Sequence, residues 1–218
     1  MSPTLAGARA DQSVIFIIDD DASVREALED LLRSVGLGVE SFASTQEFLK
    51  SKRPDAPGCI VLDVRLPGPS GLEFQRTLMK SGINLPVIFI SGHGDISMSV
   101  QAIKAGAIDF LTKPLHEQKL LDAIQTGIER DRARRAEEKD IAQVKERFET
   151  LTPREQEVLM IVITGRPNKQ IAAELTLSEM TVKIHRSQMM RKMRAKSLVD
   201  LVRMADMLKV SSRDSQAT

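Results

Sequence analysis

The amino-acid sequence predicts an α/β doubly wound fold with a five-stranded parallel sheet, joined by a long helical linker to a second, all-α domain. Three observations predict this architecture. Five short apolar runs in the first half alternate with amphipathic stretches, an alternation typical of parallel strands joined by helices. The second half carries apolar residues at helical spacing. Between the halves, residues 128–150 hold seven basic and seven acidic side chains.

The five predicted strands are the apolar runs themselves. They cover residues 14–18, 37–42, 59–62, 86–90 and 107–111. The spacing of apolar residues predicts connecting helices at 23–35, 45–50, 71–79 and 96–105, with a further helix from about residue 117. A connection between parallel strands needs about a dozen residues, which these helices supply. Ligands of such sheets bind beyond the carboxyl ends of the strands, so the residues that follow each run are candidate functional residues.

Charge is distributed unevenly along the 218 residues, although the formal net charge is only +1. Residues 1–127 hold 12 basic and 16 acidic side chains, whereas residues 151–218 hold 12 basic and 7 acidic ones. An acidic first domain and a basic second domain indicate different partners. The basic domain is the candidate for binding phosphate backbones.

Composition also excludes several classes of protein. The single cysteine, Cys59, excludes an intramolecular disulfide framework and a cysteine-rich zinc site. No segment has the pattern of a secretion signal or the length of a membrane span, so we expect a cytoplasmic protein without a membrane partner. The chain has no Trp or Tyr, which argues against recognition of single-stranded nucleic acid by base stacking.

Polar residues follow four of the predicted strands. Three aspartates, 19–21, follow the first strand, Asp63 follows the third, Ser91 the fourth and Lys113 the fifth. Carboxylates from two strands would repel each other at this edge without a cation, and Mg²⁺ is a hard ion that carboxylate oxygens bind. Asp63 is then a candidate nucleophile toward phosphorus, with a lysine charge and a serine hydroxyl to stabilise the phosphoryl oxygens. The pattern indicates phosphoryl transfer to Asp63.

Residues 14–127 resemble the CheY-like receiver domains, which have a flavodoxin-like fold. The resemblance lies in the strings IIDDDASVREAL, CIVLDVRLPGPSGLEF, VIFISGHGDI and AGAIDFLTKPL. It implies that Asp63 is the phosphoacceptor. It also implies a Mg²⁺ site formed by three carboxylates and one backbone carbonyl: Asp19, Asp20, Asp63 and Arg65.

The same resemblance implies a conformational switch. Ser91 corresponds to the switch hydroxyl, Lys113 to the lysine that pairs with the phosphoryl group, and Phe110 to the aromatic residue that rotates on the signalling face. Receiver domains often have Thr and Tyr where this chain has Ser91 and Phe110. Both replacements keep the essential group, a hydroxyl in one case and a ring in the other.

The segment after the receiver-like region predicts a long, polar helix. Apolar residues continue at helical spacing from Leu120 to Ile128, and a thin apolar stripe runs on to Phe148. A helix this polar is marginally stable in isolation. Two interpretations remain open: a short parallel coiled coil that reports the state of the first domain, and a stiff charged spacer.

A helix-turn-helix follows the linker. Thr152 and Glu155 form a capping box, with Pro153 at the first helical position. A short helix over 168–175, a tight turn and a longer basic helix over 179–193 then place the longer helix in the major groove of double-stranded DNA. Another helix follows over about 198–208. Two basic residues at the end of the longer helix, Lys192 and Arg194, either contact DNA or solvate the helix end.

Residues 151–207 resemble the LuxR-type helix-turn-helix of FixJ/NarL response regulators. The strings that carry the resemblance are LTPREQEVL, GRPNKQIAAEL, SEMTVKIHRSQMMRKM and AKSLVDLVRMA. It implies that three residues of the longer helix face base edges: Lys183, Ile184 and Ser187. Five further residues are implied near backbone phosphates: Asn168, Lys169, Thr181, His185 and Arg186. The last helix would supply a dimer contact.

These features divide the chain into five segments. They are a disordered tail (1–12), a receiver domain (13–127), a helical linker (128–149), a helix-turn-helix domain (150–210) and a second disordered tail (211–218). The resemblance implies a two-component response regulator, not an enzyme. Such a protein takes a phosphoryl group from a sensor histidine kinase, forms a homodimer and binds promoter DNA to activate transcription, with RNA polymerase as a candidate partner.

Two alternatives are weighed against this interpretation. One is a constitutive DNA-binding regulator whose pseudo-receiver is never phosphorylated, against which the complete set of acidic, hydroxyl and lysine residues argues. The other is an aspartate-nucleophile phosphatase of the haloacid-dehalogenase type. That family has a second acid two residues after the nucleophile, whereas this chain has Arg65 there.

Overall fold

The computed structural model describes residues 13–68, 70–92 and 96–208. Both predicted tails, 1–12 and 211–218, lie outside these residues. The described chain forms two compact units that divide after Arg135. None of the described helices is long and apolar enough to cross a membrane.

The first unit alternates strands and helices in the predicted order. Its strands are β1 (Val14–Ile18), β2 (Gly38–Phe42), β3 (Gly58–Asp63), β4 (Val87–Ser91) and β5 (Asp109–Thr112). Its helices are α1 (Ala22–Ser34), α2 (Thr45–Lys50), α3 (Gly71–Lys80), α4 (Ile96–Lys104) and the first part of α5 (Glu117–Glu149). The predicted α/β alternation is therefore confirmed.

All five strands are parallel and are ordered β2-β1-β3-β4-β5. The register pairs Ile18 of β1 with Leu62 of β3, and Asp63 of β3 with Ile90 of β4. The carboxyl ends of these strands consequently lie at one edge of the sheet. This is the edge at which the sequence places its candidate site.

Both faces of the three central strands, β1, β3 and β4, are buried, which explains why their sequences are largely apolar. Alternate residues of β1 belong to two separate core clusters, Phe16 and Ile18 to one and Ile15 and Ile17 to the other. Strand β3 is buried along its whole length. A rigid central strand of this kind holds the functional residue at its end in a fixed position.

Three strands, β3, β4 and β5, end one residue later than predicted. Asp63 and Ser91 are the last residues of β3 and β4, not the first residues after them. The reason is that their backbones still belong to the ladder: Asp63 pairs with Ile90, and Ser91 pairs with Thr112. A strand predicted from its apolar residues therefore stops at the first polar side chain, although the backbone pairing continues for one more residue.

The second unit is helical, as predicted. It contains the last part of α5, then α6 (Pro153–Val162), α7 (Asn168–Leu175), α8 (Glu179–Met193) and α9 (Leu198–Met207). The predicted capping box is present, because the Thr152 hydroxyl accepts from the Glu155 amide while the Glu155 carboxylate accepts from the Thr152 amide. The turn between α7 and α8 includes Thr176 in a left-handed conformation, with φ of 55°.

The core of the second unit is built from one side of α8 and from the helices around it. Val182, Met189 and Met193 are fully buried there, and Met190 is half-buried against the same cluster. Helix α6 ends at Val162, three residues before the predicted stop at Gly165. The opposite side of α8 is exposed, which leaves that side available to a ligand.

Candidate functional site

The carboxyl edge of the sheet brings together the residues that the sequence predicts. Oxygen atoms of Asp19, Asp20 and Asp63 all lie within 4.8 Å of one another. Asp19 and Asp63 are buried, whereas Asp20 is exposed. Three carboxylates at this separation repel one another strongly unless cationic groups lie among them.

Lys113 supplies one such cation. Its Nζ donates to Asp19 Oδ2 at 2.8 Å and to Asp63 Oδ2 at 2.7 Å, so a single ammonium group bridges two strands. The backbone amide of Lys113 donates to the Ser91 carbonyl at 2.7 Å, which fixes the start of the segment after β5. The lysine charge is thereby held over the two buried carboxylates.

The second oxygens of the buried carboxylates accept backbone amides. Asp19 Oδ1 accepts from the Asp21 amide at 2.9 Å, and Asp63 Oδ1 accepts from the Arg65 amide at 2.8 Å. Each carboxylate is therefore held at both oxygens. The sequence predicts a metal-binding role for the Arg65 carbonyl, whereas this hydrogen bond is made by the Arg65 amide.

The three consecutive aspartates have different surroundings. Asp21 is the N-cap of α1, and its carboxylate accepts from the Ser23 amide at 2.9 Å and from the Ser23 hydroxyl at 2.6 Å. These hydrogen bonds lower the pKa of Asp21. Asp21 is not one of the three clustered carboxylates, so only Asp19 and Asp20 of the run face the candidate site.

Sequence reasoning missed Arg25. Its Nη1 donates to the carbonyl of Asp19 at 2.7 Å and to the carbonyl of Asp20 at 3.0 Å. The guanidinium thus holds the backbone of the acidic pair from α1. The only signal in the sequence is a basic residue one helical turn after the cap, a pattern too common to single out.

Burial and charge act in opposite directions on the site residues. Burial raises the pKa of Asp19, the hydrogen bond from Lys113 opposes that effect, and the net direction is upward. Burial acts to lower the pKa of Lys113, but its hydrogen bonds to Asp19 and Asp63 outweigh burial and raise the pKa. Lys113 accordingly stays protonated across the neutral range.

The predicted switch residues Ser91 and Phe110 lie on two neighbouring strands of the sheet, β4 and β5. Ser91 is buried at the end of β4. Phe110 is half-buried in β5 and packs against the core, with its ring centroid 6.3 Å from that of Phe89. The structure thus places a hydroxyl-bearing residue and a ring on neighbouring strands, β4 and β5.

The donor set fits a hard divalent cation. Asp19, Asp20 and Asp63 offer only oxygen atoms, and they are close enough to share one ion. Among the described residues, no nitrogen or sulfur ligand of the kind that softer metals prefer belongs to the cluster. The acidic pair and Asp63 therefore match the predicted Mg²⁺ site in chemistry and in spacing.

The residues predicted to contact DNA lie on α7 and α8. The three predicted to face base edges are exposed on α8: Lys183, Ile184 and Ser187. Ile184 is 50% exposed, and Met180, one turn earlier, is 67% exposed. Among the described residues, neither side chain belongs to the core cluster of the second unit.

The residues predicted near phosphates differ in exposure and in their contacts within the second unit. Lys169 is exposed, whereas Arg186 donates to the Asn168 side chain at 3.0 Å and so joins α8 to α7. The hydroxyls of Thr181 and Ser178 lie 2.8 Å apart at the start of α8. His185 is half-buried, and its Nδ1 has no hydrogen-bond partner among the described residues.

Lys192 has an internal role, which is neither of the two that the sequence predicts, DNA contact and solvation of the helix end. Its Nζ donates to Glu155 Oε2 at 2.6 Å and to the Thr150 carbonyl at 3.1 Å. The Glu155 side chain is only 2% exposed. Burial acts to raise the pKa of Glu155, but hydrogen bonds from Lys192 and Thr152 outweigh burial and lower it.

Replacing Glu155 with Gln is expected to lower the free energy of unfolding of the second unit by about 1–3 kcal/mol. The reason is that a neutral amide cannot form the ion pair with Lys192. In the wild type, the lowered pKa makes this contribution complete above about pH 4.5 and lost as pH falls through the folded-state value. Urea unfolding at pH 7 and pH 3, followed through the amide signals of α8, measures both effects.

The matched control is Glu157→Gln. Glu157 forms an exposed pair with Arg154, and a pair of this kind contributes about 0–1 kcal/mol. The two variants make the same chemical change two residues apart on α6. Equal losses of stability in both would contradict the assignment to the Lys192 contact.

Comparison with protein-family models matches both units. Residues 15–125 match the response regulator receiver domain, and residues 149–205 match the bacterial regulatory proteins of the luxR family. The fold, the acidic site and these matches define a transcriptional response regulator. More narrowly, the chain belongs to the FixJ/NarL family, in which a receiver domain precedes a LuxR-type DNA-binding domain.

Individual relatives match along most of the chain. Nodulation protein W of Bradyrhizobium diazoefficiens is 52% identical over 207 residues, which cover 95% of this chain and 91% of that protein. Transcriptional regulatory protein FixJ of Rhizobium meliloti is 42% identical over 191 residues, which cover 88% and 94%. The solved structure of response regulator StyR has a TM-score of 0.79 at 48% identity, covering 89% of this chain and 98% of that one.

Proposed function

We propose that this response regulator is a phosphorylation-controlled transcription factor of the cytoplasm. Asp63 takes a phosphoryl group from a sensor histidine kinase, and the phosphorylated protein dimerises and binds promoter DNA to activate transcription, with RNA polymerase as a partner. The observation that carries the proposal is the Lys113 bridge between Asp19 and Asp63, beside a third carboxylate. A purely structural sheet edge has no need of three neighbouring carboxylates.

The proposed chemistry uses the carboxylate of Asp63 as the nucleophile. One of its oxygens attacks the phosphorus of a phosphohistidine, the new O–P bond forms as the N–P bond breaks, and the imidazole leaves with the electron pair. Lys113 already lies 2.7 Å from Asp63 and can stay paired with the transferred group. The Ser91 hydroxyl is the proposed donor to a phosphoryl oxygen.

Asp19, Asp20, Asp63 and the Arg65 carbonyl are the proposed ligands of Mg²⁺. The bound ion offsets the charge of the carboxylates and of the incoming phosphoryl oxygens. Arg25 holds the carbonyls of the acidic pair, and the Asp21 amide holds Asp19, so the protein orients its own ligands before any ion binds. Such preorganisation reduces the reorganisation that binding requires.

Phosphorylation adds up to two negative charges beside Ser91 and Lys113. We propose that both residues move toward the phosphoryl group and that Phe110 turns into the space behind Ser91. The altered face is formed by α4, β5 and α5. Helix α4 already exposes large apolar side chains there, and this face is the proposed dimer surface.

The dimer would present two copies of α8 to DNA. Lys183, Ile184 and Ser187 are the proposed base-edge contacts, with half-sites about 10 base pairs apart. The proposed phosphate contacts are Asn168, Lys169, Thr181, His185 and Arg186. The proposed division of the chain is a receiver over 13–127, a linker over 128–149 and a DNA-binding domain over 150–210.

Labelling by acetyl phosphate tests this function directly. The purified protein is expected to acquire one hydroxylamine-sensitive phosphoryl group with Mg²⁺ and none after chelation, as measured by intact-mass spectrometry and a phosphate-affinity gel. Failure to label with Mg²⁺ would favour the pseudo-receiver. Sustained hydrolysis of p-nitrophenyl phosphate, with many turnovers per chain, would instead favour the phosphatase.

A further inference from the structure

A buried carboxylate lies at the opposite end of the sheet from the candidate site. Asp131 of α5 is fully buried, although it belongs to one of the most polar stretches of the chain. A buried charge is costly unless it is paired and hydrogen-bonded. The proposed phosphorylation chemistry makes no use of it.

Four donors surround the Asp131 carboxylate. Oδ2 accepts from the Gly58 amide at 3.1 Å and from Arg135 Nε at 2.8 Å. Oδ1 accepts from Arg134, at 3.1 Å from Nε and 2.5 Å from Nη2. Arg135 Nη1 also pairs with the exposed carboxylate of Asp55. The carboxylate thus joins its own helix to the first residue of β3.

Around this contact, α5 approaches β3 and β3 approaches β1 so closely that two positions have no room for a Cβ atom. A Cβ on Gly127, one turn before Asp131, would lie 2.9 Å from the Cβ of Cys59. A Cβ on Gly58 would lie 2.0 Å from the Val14 carbonyl oxygen. Two successive turns of α5 therefore pack directly on the first two residues of β3.

The same strand ends at the candidate phosphoacceptor. Strand β3 runs from Gly58 to Asp63, is buried throughout, and contacts α5 at its first residue. Helix α5 then continues into the second unit. Asp131 is the last buried residue of α5 before Val144, which belongs to the core of the second unit.

The intervening stretch of α5 is polar and exposed, and such a helix gains little stability from its own sequence. Its direction where it leaves the first unit is therefore set by whatever holds its last buried turn. The Asp131 carboxylate can do so, because its four hydrogen bonds are all made only when this turn of α5 lies against the start of β3.

We propose that Asp131 is a positioning residue that fixes the end of α5 on β3, so that phosphorylation of the receiver changes DNA binding. This inference deepens the proposed function and rests on it. Without the Asp131 contacts, the receiver still accepts a phosphoryl group, but the linker helix no longer transmits its state. The expected defect is a loss of coupling between two intact activities.

The test measures three quantities on full-length Asp131→Asn protein. They are the rate of labelling by acetyl phosphate, the DNA affinity without phosphorylation and the gain in affinity on phosphorylation. Labelling and basal affinity are expected to stay at wild-type values. The gain, about 5- to 150-fold for typical couplings, is expected to fall below about twofold. A residue that merely stabilises the fold would instead lower labelling and basal affinity together.

Asp55→Asn is the matched control, because it makes the same chemical change at an exposed partner of Arg135 and is expected to keep the full gain. If Asp131→Asn does not fold, Arg135→Gln replaces it and is expected to reduce the gain partly. A full gain in whichever of these folded variants is used overturns the inference. A wild-type protein that labels without any gain overturns the proposed function, and this inference with it.

Discussion

Replacing Asp63 with asparagine is expected to abolish labelling by acetyl phosphate and the phosphorylation-dependent part of DNA affinity. An amide nitrogen and its carbonyl oxygen cannot form the acyl phosphate, because neither is a carboxylate nucleophile. The fold should survive, since Asn is nearly isosteric and Lys113 keeps its contact with Asp19 at 2.8 Å. Intact-mass spectrometry measures the label, and fluorescence anisotropy of labelled promoter DNA measures affinity.

Asp21→Asn is the matched control for this experiment. It removes one carboxylate from the same acidic run, but Asp21 caps α1 and lies outside the three-carboxylate cluster. Labelling should remain at the wild-type level, with a stability cost of about 1 kcal/mol or less at the cap. Residual labelling of Asp63→Asn at a single other carboxylate would show that the phosphoacceptor has been misassigned.

The sequence predicts the sheet well, for a physical reason. Parallel strands buried on both faces are largely apolar, so runs such as Val14–Ile18 and residues 87–90 are visible in the sequence alone. Their shared direction then requires that residues at their carboxyl ends meet. Asp19 and Lys113 are 94 positions apart in sequence, yet strand topology alone brings them to one edge.

Contacts between a helix and a distant backbone are not predictable in this way. Arg25 and Asp131 look like ordinary charges on amphipathic helices, and nothing in their spacing shows that one reaches two carbonyls and the other a buried amide. Lys192 is similar, because its partner Glu155 lies 37 positions away on another helix. These contacts depend on the length of each side chain and on which way the helix is turned about its axis. The pattern of residue types contains no information on the second.

The position at which the first compact unit ends is not visible in the sequence pattern. A change in polarity near Ile128 marks the start of the predicted linker, within a helical pattern that continues to about residue 149. The structure has this single helix, α5, and the compact units divide after Arg135. The charged turn at 131–135 belongs to the first unit because its charges neutralise one another against β3.

Replacing Val100 with aspartate is expected to prevent phosphorylation-dependent dimerisation without affecting labelling. Ile96, Val100 and Ile103 follow helical spacing on α4 and are 81%, 45% and 48% exposed. Burying this ridge between two copies would stabilise the dimer, whereas an aspartate would bring an unpaired charge from each copy into the interface. A penalty of about 3 kcal/mol raises the dimer dissociation constant by roughly 100-fold. Sedimentation velocity with and without acetyl phosphate measures the change.

Val35→Asp is the matched control, since Val35 is 50% exposed at the end of α1, on a different element of the first unit. It makes the same substitution at nearly the same exposure and should leave the dimer intact. Loss of dimerisation in both variants would indicate a general effect of added negative charge. Dimerisation of Val100→Asp at the wild-type concentration would exclude α4 from the interface. The three exposed apolar side chains of α4 would then be expected to bind a different partner, because a contiguous exposed apolar patch marks an interaction surface.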